Sequence, residues 1–194
     1  MIDLFNLLPY EGEVYYYGPV IPSRDRYLKI LVEEIPWRPD EVFVNGAVRL
    51  TKRKVAWFGD QPYEYTYSGV TRRALPWTPS LLELKQLVED RLVDKFNSCL
   101  LNLYNDGSEG MSWHSDNEDA LVKRARIASV SFGAERKFSL KHKRTKETVS
   151  VRLEHGSLLV MMGETQEHWL HSLGVSTVVK HPRVNLTFRK IFAG

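Results

Sequence analysis

Cysteine is almost absent from this chain. Cys99 is the single one, which excludes an internal disulfide and any zinc or iron–sulfur site built from several thiolates. Long apolar runs are missing as well. No stretch approaches the roughly 20 residues of a bilayer-spanning helix, so no membrane partner is expected. The segment Met1-Ile2-Asp3-Leu4-Phe5 carries an early acid and no basic region, unlike a secretory signal. The expected compartment is the cytoplasm, or the nucleus in a eukaryote. There is no internal repeat and no low-complexity linker, so 194 residues are most simply one domain, 1–194, and a monomer. Excess charge is also lacking: the net value is +3. The basic residues are nevertheless clumped, at Lys52-Arg53-Lys54, Arg72-Arg73, Lys123-Arg124 with Arg126, Arg136-Lys137 and Lys141-His142-Lys143-Arg144. Gathered on one face they would bind phosphates. From charge alone they read as solvated loops and turns.

What is present is periodicity. Residues 1–22 predict short strands. Ser23 or Asp25 can cap a helix whose stripe is Tyr27, Leu28, Leu31, Val32 and Ile35, ended by Pro36. Val42-Phe43-Val44 running into Asn45-Gly46 is a hairpin signal, and Val55-Ala56-Trp57-Phe58 is a further strand. Tyr63, Tyr65 and Tyr67 recur at period two, so three rings line one face, either over a core or as a stacking surface for a nucleobase. Ser80 precedes a helix with Leu81, Leu84, Val88, Leu92 and Phe96 inward and Glu83, Lys85, Glu89 and Asp90 outward. Everything after Ser98 reads as strands. Helices early and strands late predict an α+β fold: a double-sheet jelly roll over 99–194, with the helices and strands of 1–98 packed on it.

The chemistry begins at His114 and Asp116. Two residues apart on an extended backbone, they face one point in space. Two ligands are too few for a tight metal site, so a third must follow. His168 and His171 are the candidates, and spacing leaves both open. His142, His155 and His181 sit in basic or turn contexts and read as surface or structural. On the last strand Arg183, Asn185, Thr187 and Arg189 share a face opposite Val184, Leu186 and Phe188. Two arginines with an amide and a hydroxyl between them suit a small dicarboxylate, because guanidinium pairs carboxylate as a fork. Two histidines and one carboxylate on a metal suit non-haem Fe(II) that activates dioxygen.

The set resembles the AlkB family of Fe(II)/2-oxoglutarate dioxygenases, in its branch that repairs alkylated duplex DNA. The matching stretches include Asn102-Leu-Tyr104-Asn-Asp-Gly, His114-Ser-Asp116-Asn-Glu118, Ile127-Ala-Ser-Val-Ser-Phe-Gly133, His168-Trp-Leu-His171 and Pro182-Arg-Val-Asn-Leu-Thr-Phe-Arg189. With Ala56-Trp-Phe-Gly-Asp60 and Tyr65-Thr-Tyr-Ser-Gly69 they span most of the chain beyond residue 40.

The resemblance implies a metal held by His114, Asp116 and His171, with Fe(II) as cofactor and 2-oxoglutarate and O2 as cosubstrates. It implies that Asn102, Tyr104, Arg183, Asn185, Thr187 and Arg189 surround 2-oxoglutarate, Arg183 at the distal carboxylate and Arg189 near the chelating end. Hairpins within 1–98 would recognise the nucleotide. Tyr65 and Tyr67 would frame a flipped base, Glu118 would meet its exocyclic edge, and Asn117 would lie beside it. The implied activity is demethylation of 1-methyladenine and 3-methylcytosine, whose positive charge a carboxylate and aromatic faces favour. Duplex-repair relatives carry a bulky apolar wedge at the hairpin tip. Here the tip is Asn45, and an amide fills a base stack less well. The expected partner is therefore alkylated DNA, single- or double-stranded, with RNA or a substrate other than nucleic acid as alternatives.

Overall fold

Alternating strands late in the chain need a partner sheet to cover their apolar faces, and the fold supplies it. A computed structural model describes residues 4–44, 47–67 and 70–192. The first half contains β1 (Glu13–Pro19), α1 (Arg24–Glu34), β2 (Arg38–Val44), β3 (Ala47–Gly59), β4 (Glu64–Tyr67), β5 (Val70–Arg73) and α2 (Pro79–Leu92). Next come β6 (Ser98–Tyr104), β7 (Met111–His114), β8 (Ile127–Gly133), β9 (Arg136–His142) and β10 (Thr148–Leu153). The chain finishes with β11 (Ser157–Met162), α3 (Thr165–His168), β12 (Trp169–Leu173) and β13 (Arg183–Arg189).

Among the described residues the strands form a seven-stranded sheet, β1-β11-β8-β13-β6-β3-β2, a four-stranded sheet, β10-β9-β12-β7, and the hairpin β4-β5. Strands from the first 98 residues extend the large sheet at both edges. One of its faces packs on the helices: Val184, Leu186 and Phe188 of β13 meet Leu31 of α1 and Leu81, Leu84 and Val88 of α2 in one core. On the other face Val14, Leu159 and Met161 pack against Leu140, Leu153 and Trp169 of the small sheet. This is the predicted double-sheet jelly roll with helices on one side.

Local details differ from the periodicity in informative ways. The second helix is capped at Thr78, whose hydroxyl accepts the Leu81 N–H at 3.3 Å, and Pro79 occupies the first turn where no donor is needed. It ends at Leu92, because Val93 turns left-handed at φ 50°. Phe96 thus reaches the core from the following loop. Glu89, expected outward, is 4% exposed. Its carboxylate accepts the Phe96 N–H at 2.9 Å and Lys95 Nζ at 2.8 Å, which fastens the returning chain to the helix. Val32 of α1 remains 37% exposed at the edge of its stripe. Ser23 holds the N-cap position of α1 without a side-chain bond to it. A one-turn helix, α3, interrupts the run of strands, since Gly163 at φ +59° lets the chain turn sharply after β11.

Candidate active site

The register of the large sheet builds one wall of a cavity. Side chains directly opposite on antiparallel strands share a face. On β13, Arg183 lies opposite Tyr104 and Gly133, Asn185 opposite Asn102 and Ser131, and Thr187 opposite Leu100 and Ser129. The polar face of β13 is therefore interior, facing the small sheet, and not in water. Ser129 and Ser131 join it; their alternation with Ala128, Val130 and Phe132 was a period-two signal that sequence reasoning passed over. The cavity is also lined by Phe138, Met161, His114, Asp116 and His171.

Arg183 stands at this wall 3% exposed. Its Nη2 donates to Ser131 Oγ at 2.9 Å and its guanidinium lies 5.5 Å from the centre of the Tyr104 ring. Its Nε is buried without a hydrogen-bond partner, and among the described residues no carboxylate pairs with its guanidinium. Burial pushes its pKa down to about 10, so it stays charged at neutral pH. A buried cation with an idle donor is a receptor for an anion. Asn102 presents one end of its amide, since Oδ1 is taken by Arg53, itself held by Asp40 in a buried ion pair. That use removes Arg53 from the expected basic surface cluster. Arg136 is likewise buried, its Nη2 donating to the carbonyls of Glu109 at 2.8 Å and Gly174 at 2.6 Å. Asn185 Nδ2 donates to Ser129 Oγ at 2.9 Å, and Thr187 donates to Asn185 Oδ1 at 3.2 Å.

Pairing of the small sheet's edge selects the third histidine. β12 aligns His171 with His114 of β7, bringing the two rings to 4.2 Å between centroids. His114 Nε2 and His171 Nε2 lie 3.7 and 3.8 Å from the same Asp116 oxygen, Oδ1. The donors lie within 4.8 Å of one another, so a single ion can bridge all three. His114 Nδ1 is 2.8 Å from the Ser112 carbonyl. A carbonyl only accepts, so the proton sits on Nδ1 and the Nε2 lone pair is free for a metal. His171 is 5% exposed, and burial pushes its pKa down to about 4, keeping it neutral. For Asp116 burial raises the pKa, but the Arg189 guanidinium foremost among its neighbours opposes this and the net direction is down. Arg189 Nη2 donates to Asp116 Oδ2 at 2.8 Å, leaving Oδ1 for the metal side. Two imidazoles, an ionised carboxylate and a guanidinium with an idle donor in one cavity fit a divalent cation with a chelating dicarboxylate.

His168 lies elsewhere, grouped with Glu11 and His142. That group reads as a hydrogen-bonded lock. His142 Nδ1 accepts the Thr145 N–H at 3.1 Å, so its proton is on Nε2, 2.7 Å from Glu11 Oε2, and His142 turns no lone pair toward the group. His155 is structural, accepting the Gly133 N–H at 3.0 Å, and His181 is exposed.

The residues expected at the substrate are placed unevenly. Glu118 Oε1 lies 3.7 Å from Arg189, and its Oε2 is buried without a hydrogen-bond partner. Asn117 is exposed and accepts Lys123 Nζ at 3.1 Å. Tyr65 and Tyr67 belong to β4, but their side chains are outside the described set, and Asn45 lies outside the described residues altogether.

A family model described as the 2OG-Fe(II) oxygenase superfamily matches residues 22–189. The chain is 36% identical over 182 residues to alpha-ketoglutarate-dependent dioxygenase alkB homolog 3 of Homo sapiens, covering 89% of this chain and 63% of that protein. It is 43% identical over 159 residues to DNA oxidative demethylase ALKBH2 of Mus musculus, covering 78% of this chain and 66% of that protein. It thus spans less than two thirds of these relatives' length. The solved structure of OsALKBH1 shares the fold at a TM-score of 0.60 and 17% identity, covering 86% of this chain and 90% of that one. No helix among the described residues is long and apolar enough to cross a membrane. The matched segment begins before α1 and ends on Arg189, so it takes in both cavity walls and every donor of the metal group, and on that agreement the chain belongs to the 2OG-Fe(II) oxygenase superfamily, which implies Fe(II), 2-oxoglutarate and O2.

Proposed function

We propose that this chain is an oxidative demethylase of N-alkylated nucleobases, acting on 1-methyladenine and 3-methylcytosine in DNA. The observation that carries the oxygenase half of this reading is the buried Arg183, its Nε without a hydrogen-bond partner, in the same cavity as the His114, Asp116 and His171 donors. The nucleobase half is supported by relatives that carry the names DNA oxidative demethylase and alkB homolog, and by the idle carboxylate oxygen of Glu118, whose other oxygen lies 3.7 Å from Arg189.

In this reading His114, Asp116 and His171 hold Fe(II). Bound with 2-oxoglutarate and O2, the iron supplies oxidative decarboxylation and hydroxylation of an N-methyl group, which then leaves as formaldehyde. The chain's own residues do the placing. Arg183 grips the distal carboxylate, while Tyr104 and the Asn102 amide line the same wall. Arg189 fixes which Asp116 oxygen faces the histidines. Glu118 offers a carboxylate to a cationic base, and Tyr65 and Tyr67 on β4 supply aromatic faces for it. Asn117 sits on the adjoining loop and contributes at its rim. Asn45, which lies between β2 and β3 in the sequence, favours single strands over duplex, because an amide replaces a flipped base poorly.

The test is formaldehyde release from oligonucleotides bearing 1-methyladenine or 3-methylcytosine, single- and double-stranded, with Fe(II), 2-oxoglutarate and ascorbate. Release that needs both iron and 2-oxoglutarate is expected, faster on single strands. Turnover of 2-oxoglutarate without release from any oligonucleotide would sink the nucleobase reading and leave an oxygenase of another substrate.

A further inference from the structure

We propose that Gln166 is a positioning residue that sets how Asp116 presents its carboxylate to the metal. The inference rests on the metal-site reading above. β7 ends at His114, so Ser115 and Asp116 leave the sheet and no ladder bond takes up the Asp116 N–H. Gln166 Oε1 accepts it at 2.8 Å. Asp116 is 6% exposed, so losing this acceptor would leave a buried amide unsatisfied.

Gln166 can do this because its own backbone is tied down. It is the second residue of α3, and the first, Thr165, is 1% exposed. The Thr165 hydroxyl accepts the Glu13 N–H at 2.8 Å and lies 2.6 Å from the Met162 carbonyl, which pins the turn to β1 and β11. Lys143 adds a second tie, donating to the Gln166 carbonyl at 2.9 Å and reaching Ser115 Oγ at 3.4 Å. Asp116 is therefore fixed at two points. Gln166 holds its backbone nitrogen, and Arg189 holds Oδ2 at 2.8 Å. With both in place Oδ1 alone turns toward His114 and His171. Removing the Gln166 acceptor frees the loop to rotate about the remaining contact, so the carboxylate no longer meets the histidines in one arrangement.

The experiment measures Mn(II) affinity by electron paramagnetic resonance on the purified protein, without turnover. Four variants are compared with wild type: Gln166→Leu, Gln166→Glu, His114→Ala and Glu89→Gln. Gln166→Leu keeps the shape but removes the acceptor, and its affinity should fall about 10- to 100-fold, as for other partners that orient metal ligands. Gln166→Glu retains an oxygen for the Asp116 N–H and should stay within a few-fold of wild type, with the wild-type Mn(II) line shape. Glu89→Gln loosens the fold far from the site and sets the scale of a merely structural effect. A loss in Gln166→Leu no larger than in Glu89→Gln overturns the proposal. So does an equal loss in both Gln166 variants, since only one of them lacks the acceptor. Wild-type binding no tighter than that of His114→Ala overturns the metal-site reading and the proposal together.

Discussion

Replacing Arg183 with methionine should separate stability from cosubstrate binding, because the same buried charge acts oppositely on each. The side chain is 3% exposed and its Nε has no partner. Burial lowers its pKa to about 10, and a depression of that size corresponds to about 3 kcal/mol against the charged form in the fold. At neutral pH the guanidinium is charged in both states, so the folded protein carries that cost until an anion arrives. Methionine follows the same path through the core without a charge. The metal-free variant should accordingly melt no lower than wild type, and on the order of 5 °C higher if most of the cost is relieved. Binding of 2-oxoglutarate should move the other way. Losing one partner of a buried charged pair costs about 3–5 kcal/mol, which is about a hundred- to several-thousand-fold in affinity. The assay is a thermal melt with Mn(II), with and without 2-oxoglutarate. Wild type should be protected by roughly 4 kcal/mol when the ligand is at a thousand times its Kd, and Arg183→Met by no more than about 1.4 kcal/mol at the same concentration. Equal protection of both proteins would refute the assignment of Arg183 to the dicarboxylate. A variant that melts far below wild type would refute the claim that burial of this charge costs the ligand-free protein stability.

Other perturbations give sharper or narrower readings. His114→Ala should abolish 2-oxoglutarate turnover and metal binding together, measured as succinate formed and Mn(II) retained. Glu118→Gln should lower kcat/KM on 1-methyladenine about tenfold, from one weakened charge-assisted contact, while the KM for 2-oxoglutarate stays put; a rise in that KM instead would place Glu118 at the cosubstrate. Glu89→Gln should destabilise the fold by about 1–3 kcal/mol at pH 7. Burial raises the Glu89 pKa, but Lys95, the Phe96 amide and Lys85 outweigh it and hold it below its ordinary 4.5. A carboxyl with a depressed folded pKa stabilises above that value and loses its contribution as the pH falls past it. The gap between Glu89→Gln and wild type in urea melts should therefore narrow below about pH 4.5, and a gap independent of pH would contradict the network.

Much of the site was legible before any tertiary contact was considered. A strand alternates its faces by geometry alone, so Arg183, Asn185, Thr187 and Arg189 had to share one side; Asp116 meets His114 from beyond the end of β7, where that rule no longer holds. What the period does not say is where that side points. The polar face of β13 could have been in water; the register with β6 and β8 and the covering small sheet put it inside. Glu89 illustrates the same limit. Its position on the helical wheel is outward, yet a loop returning through Phe96 buries it.

The residues by themselves determined the chemistry available: two histidines and a carboxylate able to take a metal, and an arginine pair able to take a dicarboxylate. Spacing left His168 and His171 equivalent, because three residues of chain can face either way. Only the antiparallel pairing of β12 with β7 set His171 against His114 and turned His168 toward Glu11. Tertiary structure likewise drew Arg53 and Arg136 out of basic clusters into the interior, and brought Gln166 onto the backbone of Asp116 from 50 residues away. Sequence records which groups a chain owns, whereas burial and register decide which of them meet, since both depend on partners far apart along the chain.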